Sequence, residues 1–235
     1  MKILAVDTSS ETASVAIMDN EKLMGEYSIN HKKTHSQKLM PMIINIMENL
    51  DLKPEDIDVY AASSGPGSFT GLRIGVATIK AMAYSFKKPV VSVPTLDAFV
   101  YNVPTADALI CPMMDARNRQ VYTAVYRFDG IFPSRITDYL AVPVEDLITV
   151  LNDMNEKVVF LGDGAFIHKD ILSEKLAGKA LFVHSCAALQ RASSVARLAL
   201  EKVKRGEVED SFKLTPFYLR KSQAEQQLEK QKQKI

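Results

Sequence analysis

The chain has 235 residues, of which 47% are hydrophobic, and its 29 lysines and arginines nearly balance 28 aspartates and glutamates. A net charge of +1 excludes a polycation that binds nucleic acid along its whole length, and no apolar run is long enough for a membrane span. The length predicts one large domain or two small ones with enough apolar residues for a core.

The first residues and the two cysteines indicate a cytoplasmic protein. The apolar run 3–6 is short and is followed at once by Asp7, which predicts a first strand and not a signal peptide. Cys111 and Cys186 lie among apolar or small residues, which predicts two buried free thiols rather than a disulfide. No Cys or His spacing suggests a zinc site.

The N-terminal thirty residues predict three antiparallel strands, at residues 2–6, 13–18 and 23–29. The polar turn after the first strand begins with Asp7. A single aspartate at a hairpin tip is usually a turn residue. The alternative is a carboxylate that faces a phosphate or a metal ion, and both interpretations stay open.

A helix is predicted after His35, because apolar residues recur at helical spacing. The stripe consists of Leu39, Ile43, Ile46, Met47 and Leu50, and Met40, Met42 and Ile44 lie off it. The helix is therefore either sandwiched inside its own domain or buries a second face against a partner. We expect His35 to be a capping or surface histidine, because no ligand-type residue lies at helical spacing from it.

The most distinctive stretch is residues 63–75, SSGPGSFTGLRIG, between an apolar strand at 59–62 and a helix at 72–86. Two glycines around Pro66 allow a tight turn, and Ser68 or Thr70 can cap the helix. The N–H groups at such a junction suit an anion, although the spacing is equally typical of a plain turn. It is neither a Walker A loop nor a dinucleotide fingerprint.

The helix after this stretch is rich in small residues, which would let another helix approach closely. They are Gly71, Gly75, Ala77, Thr78, Ala81 and Ala83.

The second half of the chain repeats the pattern of the first. After a predicted linker at 102–105, a strand at 108–114 is followed by Asp115 and a returning strand at 121–128, as Asp7 is followed by the strand at 13–18. A later strand at 158–161 ends in a Gly-x-Gly turn. If the repeat is not chance, it predicts two similar α/β lobes whose acidic hairpin tips face one cleft.

The C-terminal part predicts an amphipathic helix at 193–204 and then a charged tail at 221–235. From Arg220 onward five Lys or Arg and two Glu give a balance of +3. A solvated, frayed helix is the default interpretation, and a weak contact with RNA phosphates is the alternative.

The doubled lobes resemble the two-lobed actin/Hsp70/sugar-kinase (ASKHA, ribonuclease H-like) fold, an α/β fold with duplicated βββαβα units. A narrower resemblance is to the bacterial TsaB (YeaZ) family. Its motifs are GPGSFTGLRIG at 65–75, Asp7-Thr8, His35-Ser36 followed by Leu39-Met40-Pro41, Asp115-Ala116-Arg117 and Tyr218-Leu219-Arg220. The resemblance implies an N-terminal lobe at 1–103, a C-terminal lobe at 104–220 and a tail at 221–235.

The resemblance also implies a function. Such proteins are non-catalytic subunits needed for N6-threonylcarbamoyladenosine next to the anticodon of tRNAs that read ANN codons. They dimerise with and activate the metal-bearing transferase TsaD, and the ATPase TsaE joins them. TsaD-type proteins carry His-x-x-x-His on the helix that corresponds to 94–99, where this chain has no histidine, so neither a catalytic nor a metal-binding residue is predicted.

By resemblance, the N-terminal lobe docks on TsaD through two helices, or on a second copy of the chain when TsaD is absent. The implied interface is His35, Leu39, Met42, Ile43, Ile46, Gly71, Ile74, Gly75, Thr78, Ala81 and Met82. ATP or ADP at the partner interface is the one small molecule implied, with Asp7, Glu11, Asp115 and Arg117 as cleft residues.

Two alternatives stand beside this interpretation. One is a stand-alone small-molecule kinase of the same superfamily, in which Asp7 and Asp115 would hold Mg-ATP. The other is an RNA-binding module that uses the tail, against which the near-neutral charge argues. We find no Ser/His/Asp ordering or Cys/His pair that indicates a protease.

Overall fold

The computed structural model describes residues 1–31, 34–103, 107–129 and 132–220. The strands are β1 (Lys2–Asp7), β2 (Thr12–Asp19), β3 (Lys22–Asn30), β4 (Val59–Gly65), β5 (Val90–Pro94), β6 (Leu109–Asp115), β7 (Gln120–Thr123), β8 (Tyr126–Asp129), β9 (Phe132–Arg135), β10 (Leu140–Pro143), β11 (Val158–Leu161) and β12 (Ala180–Phe182). The helices are α1 (His35–Asn49), α2 (Phe69–Phe86), α3 (Thr95–Val100), α4 (Val144–Met154), α5 (Asp163–Ile167), α6 (Lys169–Lys175) and α7 (Ala192–Lys204).

The first sheet has the strand order β3-β2-β1-β4-β5. Its first three strands are antiparallel, as the sequence predicts, and β4 and β5 run parallel to β1. Helices α1 and α2 cover one face, where Ile43 and Ile79 pack with Leu4 and Val6 of β1. The apolar stripe of α1 is thus the side that faces the sheet.

The second sheet repeats this order as β10-β7-β6-β11-β12. The parallel strand β11 lies next to β6 as β4 lies next to β1, so the predicted repeat is present in the topology. The single strand predicted at 121–128 is wrong, because the chain is divided at Ala124 and Val125. β7 pairs with β6 and β10, whereas β8 turns into an additional hairpin with β9.

Helix α7 shows on which lobe the last helix packs, a point that the sequence leaves open. By position it belongs to the C-terminal lobe at 104–220, but it packs on the free face of the first sheet. Val195, Ala199 and Leu200 there join Ile3 and Ala5 of β1 in one apolar cluster. The chain then continues along the first lobe, where Glu209 bridges to Val90 of β5. The first lobe therefore contains residues from both ends of the chain.

The linker predicted at 102–105 is anchored at its start. The Asn102 Nδ2 donates to the carbonyl oxygens of Ala187 (3.0 Å) and Leu189 (2.7 Å). Residues 104 and 105 of that linker, like the tail at 221–235, lie outside the described residues. Burial raises the pKa of Cys111 to about 12, whereas Cys186 is exposed, so the prediction of two buried thiols is wrong for Cys186.

No helix within the described ranges has the length and apolar character needed to cross a bilayer.

Candidate functional site: a cleft between two hairpin turns

A cleft of about 940 Å³ lies between the lobes. Its lining includes the first hairpin turn (residues 9–12), the start of α2 (67–71) and the second turn (115–118). Three of the predicted cleft residues, Glu11, Asp115 and Arg117, line it. The structure thus brings the two repeated turns to one site, as the repeat predicts.

Asp7, the fourth predicted cleft residue, does not line the cleft but is buried behind the first turn. Its Oδ1 accepts hydrogen bonds from the Ser9 N–H (2.8 Å) and the Ser9 hydroxyl (2.6 Å), and the Ser63 hydroxyl of β4 donates to Oδ2. Burial raises the pKa of Asp7, and these hydrogen bonds oppose the rise. This geometry matches the turn-residue interpretation and weighs against the kinase alternative, which needs Asp7 in the cleft.

The second turn has the same local hydrogen bond but a more open environment. The Arg117 N–H donates to Asp115 Oδ1 (2.9 Å), as the Ser9 N–H does to Asp7. Nearby, Asp163 Oδ1 accepts from the N–H groups of Asp115 (3.2 Å) and Gly164 (2.9 Å), and burial raises the pKa of Asp163. Two carboxylates therefore face the cleft on this side, together with Arg117.

The start of α2 is packed tightly against the first turn. Ser68 caps the helix, with its Oγ accepting from the Gly71 N–H (3.2 Å), which confirms one of the two predicted caps. A Cβ on Gly71 would lie 2.0 Å from the Thr8 carbonyl oxygen, and one on Gly75 would lie 2.3 Å from the Thr8 hydroxyl. These glycines face this chain's own first turn, so they are not surface residues open to a partner helix.

His35 stabilises the first turn and does not cap α1. Its Nε2 lies 2.7 Å from the Ser10 carbonyl oxygen, which can only accept, so Nε2 carries the proton. The N-cap of α1 is Thr34, which makes no capping hydrogen bond with its side chain. The capping prediction for His35 is therefore wrong, and the residue lines the cleft.

The C-terminal Tyr-Leu-Arg motif closes the site from the other end of the chain. Tyr218 stacks on Phe69 with 4.5 Å between ring centroids, and Arg73 Nε donates to its hydroxyl (3.0 Å). Arg220 reaches the second turn, where its Nη1 donates to the Ala116 carbonyl oxygen (3.3 Å). The motif therefore connects the signature stretch to the second lobe.

Sequence reasoning did not assign Ser10, Tyr122, Asp163 and Arg220 to the cleft, although all four line it. Asp163 lies inside the Gly-x-Gly turn of the second repeat, and Arg220 ends a recognised motif. Superposing the two repeats in the sequence would have pointed to Asp163. No local pattern marks Tyr122 or Ser10.

Comparisons with known proteins agree with this arrangement. The model of a family described as TsaD, tRNA N6-adenosine threonylcarbamoyltransferase, matches residues 22–228. A Bacillus subtilis (strain 168) protein named tRNA threonylcarbamoyladenosine biosynthesis protein TsaB is 34% identical over 225 residues, 96% of each chain. The chain belongs to the TsaB family.

Solved structures related to TsaB support the fold. A Pseudomonas aeruginosa protein described as similar to peptidase YeaZ aligns with a TM-score of 0.79 at 23% identity, covering 93% of this chain and 99% of that one. The ROK hexokinase of Thermus thermophilus aligns at 0.50 and 9% identity, covering 88% and 100%. At these identities the matches establish the fold alone, and they confirm the two-lobed ASKHA-type prediction.

The residues that the TsaB resemblance places at a partner interface are largely internal. Leu39, Met42, Ile43 and Ile46 are each 4% exposed or less and belong to the core under α1. Ile74, Thr78 and Met82 of α2 are half-buried, and Ala81 is exposed. The outer face of α1 instead presents Met40 (41% exposed) and Ile44 (47%). Of the three apolar residues off the stripe, Met40 and Ile44 form the free surface, whereas Met42 is buried with the stripe.

Helix α3 occupies the position at which the resemblance implies a histidine pair in TsaD-type proteins. Its Asp97 Oδ1 accepts from the Tyr126 hydroxyl (2.7 Å) and its Oδ2 from the Tyr139 hydroxyl (2.8 Å). This carboxylate therefore connects the lobes through two tyrosines of the second. Within the described part of the chain, no group of three or more His, Cys, Asp or Glu side chains is placed to hold a metal ion.

Proposed function

We propose that this chain is a non-catalytic cytoplasmic subunit needed to form N6-threonylcarbamoyladenosine next to the anticodon of tRNAs that read ANN codons. It dimerises with and activates a TsaD-type, metal-bearing transferase, and a TsaE-type ATPase joins the complex. The observation that carries the proposal is the match to a TsaB relative over 96% of both chains. That relative's name places it in the synthesis of this modified nucleoside.

The non-catalytic role is supported by the side chains at the positions where chemistry is expected. Asp97 accepts two tyrosine hydroxyls, and Asp7 accepts serine donors behind the first turn. A carboxylate that already has its hydrogen-bond donors is costly to redirect toward a ligand, most of all where it is buried, as Asp7 is. The metal and the transfer chemistry would therefore come from the partner.

The partner surface, as we define it, consists of Met40 and Ile44 of α1 with Ile74, Thr78 and Ala81 of α2. Met40 and Ile44 are one turn apart, and so are Ile74 and Thr78, so each pair shares one side of its helix. Met40, Ile44 and Ala81 are exposed, and Ile74 and Thr78 are half-buried. A patch with exposed apolar residues on neighbouring helices is typical of a protein interface. A homologous transferase has a matching pair of helices, and a second copy of this chain would dock there when the transferase is absent.

A nucleotide, ATP or ADP, would bind in the cleft once the partner closes it. The start of α2 directs its positive end into the cleft, which suits a phosphate group, and Arg117 adds a cation. Glu11 and Asp115 add carboxylates that are suited to a magnesium ion accompanying the phosphates.

Reconstitution tests this proposal. Unmodified tRNA reading an ANN codon is incubated with a TsaD homologue, a TsaE homologue, ATP and the threonylcarbamoyl precursors, with and without this chain, and the modified nucleoside is measured by mass spectrometry. We expect modification only when this chain is present. Full-rate modification without it would refute the proposal.

The partner surface has its own matched test. Ile44→Glu adds a charge to the centre of the surface, and Leu181→Glu adds the same charge to a residue of similar exposure (43%) on the second lobe. A desolvated, unpaired charge is strongly unfavourable in an interface. We expect Ile44→Glu to abolish the heterodimer in sedimentation velocity and Leu181→Glu to preserve it. Equal behaviour of the two variants would show that the contact lies elsewhere.

A further inference from the structure

One edge of α2 alternates aromatic and cationic side chains. Phe69, Arg73, Lys80 and Tyr84 follow one another at intervals of four, seven and four residues, so they lie along the same side of the helix. Fifteen residues at 1.5 Å each give this edge a length of about 22 Å. It begins at the cleft, which Phe69 lines.

The C-terminal segment runs antiparallel to this edge and adds an aromatic ring at each end. Phe212 contacts Tyr84 edge to face, with 5.2 Å between centroids, and its carbonyl oxygen accepts from Lys80 Nζ (3.1 Å). Tyr218 stacks on Phe69 at the other end. The six side chains that we call the aromatic ridge are Phe69, Arg73, Lys80, Tyr84, Phe212 and Tyr218.

The aromatic ridge is exposed more than ordinary packing requires. Phe212 is 68% exposed and Tyr84 is 63% exposed, the two highest fractions among the large hydrophobic residues that the structure describes. Their contact is with each other and not with the core. Each ring therefore has a free surface on which another flat group could stack.

The charge of the aromatic ridge has one sign along α2. From Val59 to Leu96 the sequence contains Arg73, Lys80, Lys87 and Lys88 and no aspartate or glutamate. On the C-terminal segment, Asp210 lies near the ridge, where its Oδ1 accepts from the Phe212 N–H (2.8 Å). A strip of this kind attracts an anionic chain although the whole protein carries only +1.

We propose that the aromatic ridge binds a single-stranded segment of the tRNA substrate, with bases stacked on Tyr84 and Phe212 and phosphates beside Lys80 and Arg73. Aromatic rings interleaved with cations are the arrangement that proteins use for single-stranded nucleic acid. A protein partner fits less well, because the centres of protein interfaces are depleted of lysine, and Lys80 lies in the middle of the ridge.

The aromatic ridge and the partner surface lie on different sides of α2 over most of the helix. At 100° per residue, Ile74 and Thr78 lie about 120° and 160° around α2 from Lys80, whereas Ala81 lies about 60° from Tyr84, so the two surfaces adjoin at the C-terminal end. A transferase that docks on Thr78 and Ile74 would leave the ridge open. This inference rests on the proposed function, because the RNA that it names is the substrate of that complex.

The test is tRNA binding measured by fluorescence anisotropy at several salt concentrations, with the full chain alone and in complex with a TsaD homologue. The probe is an unmodified tRNA reading an ANN codon, and a blunt RNA duplex is the competitor. Tyr84→Ala combined with Phe212→Ala removes both stacking surfaces, and Lys80→Gln removes a cation. The matched controls are Phe166→Ala, an aromatic that is 38% exposed, and Lys157→Gln, both on the second lobe.

We expect the double aromatic variant to weaken tRNA binding by about tenfold or more, while Phe166→Ala binds like the unaltered chain. Lys80→Gln should weaken binding and lower the slope of log K against log salt by about one, and Lys157→Gln should change neither. The duplex should compete poorly.

Three results would overturn the aromatic ridge as an RNA site. They are affinities within twofold of the unaltered chain for all ridge variants, equal competition by the duplex, and loss of transferase binding with tRNA affinity unchanged. The proposed function fails separately, if no heterodimer forms or if modification does not need this chain. In that case tRNA binding by the chain alone tests whether the aromatic ridge is an RNA site. Absence of tRNA binding by the chain alone would also overturn the ridge as an RNA site.

Discussion

The two hairpin turns that meet at the cleft have the same local design but different surroundings. In both, an aspartate at the end of a strand accepts the N–H of the residue two positions later. In the first turn the carboxylate is enclosed by Ser9 and Ser63 and the turn supports α2, whereas in the second Asp115 remains at the surface of the cleft. A repeated element has thus become structural in one lobe and stayed accessible in the other.

The two lobes also differ in how closely the glycine-containing helix approaches the adjacent backbone. Gly71 at the start of α2 approaches the backbone of the first turn so closely that a Cβ would lie 2.0 Å from an oxygen, but at Gly164 of α5 the shortest such distance is 3.0 Å. Close backbone contact makes the first turn and α2 one rigid unit. In the second lobe the closest approach is at Gly162, just before α5, where a Cβ would lie 2.0 Å from the Met113 carbonyl oxygen, so the tight contact there is with β6 and not with the turn.

The largest effect that separates the lobes is expected from adding a methyl group at these glycines. Gly71→Ala forces the start of α2 away from Thr8 and should cost about 3 kcal/mol or more in the free energy of unfolding, while Gly164→Ala should cost about 1–2 kcal/mol. Urea unfolding monitored by circular dichroism measures both. Gly25→Ala is the control, because its Cβ would meet only the side chains of Ile46 (3.4 Å) and Leu50 (3.7 Å). Equal losses at Gly71 and Gly164 would contradict the difference.

The second test uses pH. Burial raises the pKa of Asp7 above its ordinary value of 3.8, so the native state binds this proton more tightly than the unfolded chain does. Its contribution to stability is full below pH 3.8 and is lost as the pH rises through the higher native pKa. Asparagine does not titrate, so Asp7→Asn should remove this pH-dependent loss of stability. The difference in unfolding free energy between the variant and the unaltered chain should therefore change with pH in that window.

Asp163, whose pKa burial also raises, is present in both the Asp7→Asn variant and the unaltered chain and cancels in the difference between them. Urea unfolding at a series of pH values measures that difference. A difference that stays constant with pH across the window would show that Asp7 is not the enclosed carboxylate that its contacts indicate.

The sequence was sufficient for those parts of the fold that depend on neighbours in the chain. The three-stranded meander, the Ser68 cap and the strand at 158–161 follow from local pattern and turn chemistry. The repeated topology followed from the spacing of Asp7 and Asp115. These features need no knowledge of what lies across the molecule.

The errors concern long-range packing. The small residues Gly71 and Gly75 were assigned to a partner, but Thr8, more than sixty positions earlier, fills the space beside them. The resemblance also places Leu39, Ile43 and Ile46 of the α1 stripe at that interface. Apolar periodicity marks a buried face without saying what buries it, and in the structure these residues belong to the core of the first lobe. The sequence leaves open on which lobe the last helix packs, and only the match of the apolar side of α7 to β1 decides it.

The smallest expected effect concerns how α7 is held on the first lobe. Glu26 of β3 is 10% exposed and accepts four hydrogen bonds at the N-terminal end of α7, two from Arg191 and two from Ser193. In the second lobe Glu156 pairs with Arg127 at the surface. Glu26→Ala should lower the free energy of unfolding by about 1–2 kcal/mol, because it leaves the helix N–H of Ser193 without its acceptor, and Glu156→Ala should change it less than that.

The two ion pairs should also differ in how strongly their contribution to stability depends on salt. Added sodium chloride should weaken the surface pair of the second lobe and have less effect on Glu26, which is shielded from solvent. Thermal unfolding at low and high salt measures this as the change in melting temperature of each variant relative to the unaltered chain. If Glu156→Ala proved as costly as Glu26→Ala at both salt concentrations, the attachment of α7 would not depend on Glu26. The long-range contact that joins the C-terminal helix to the first sheet would then rest on its apolar side alone.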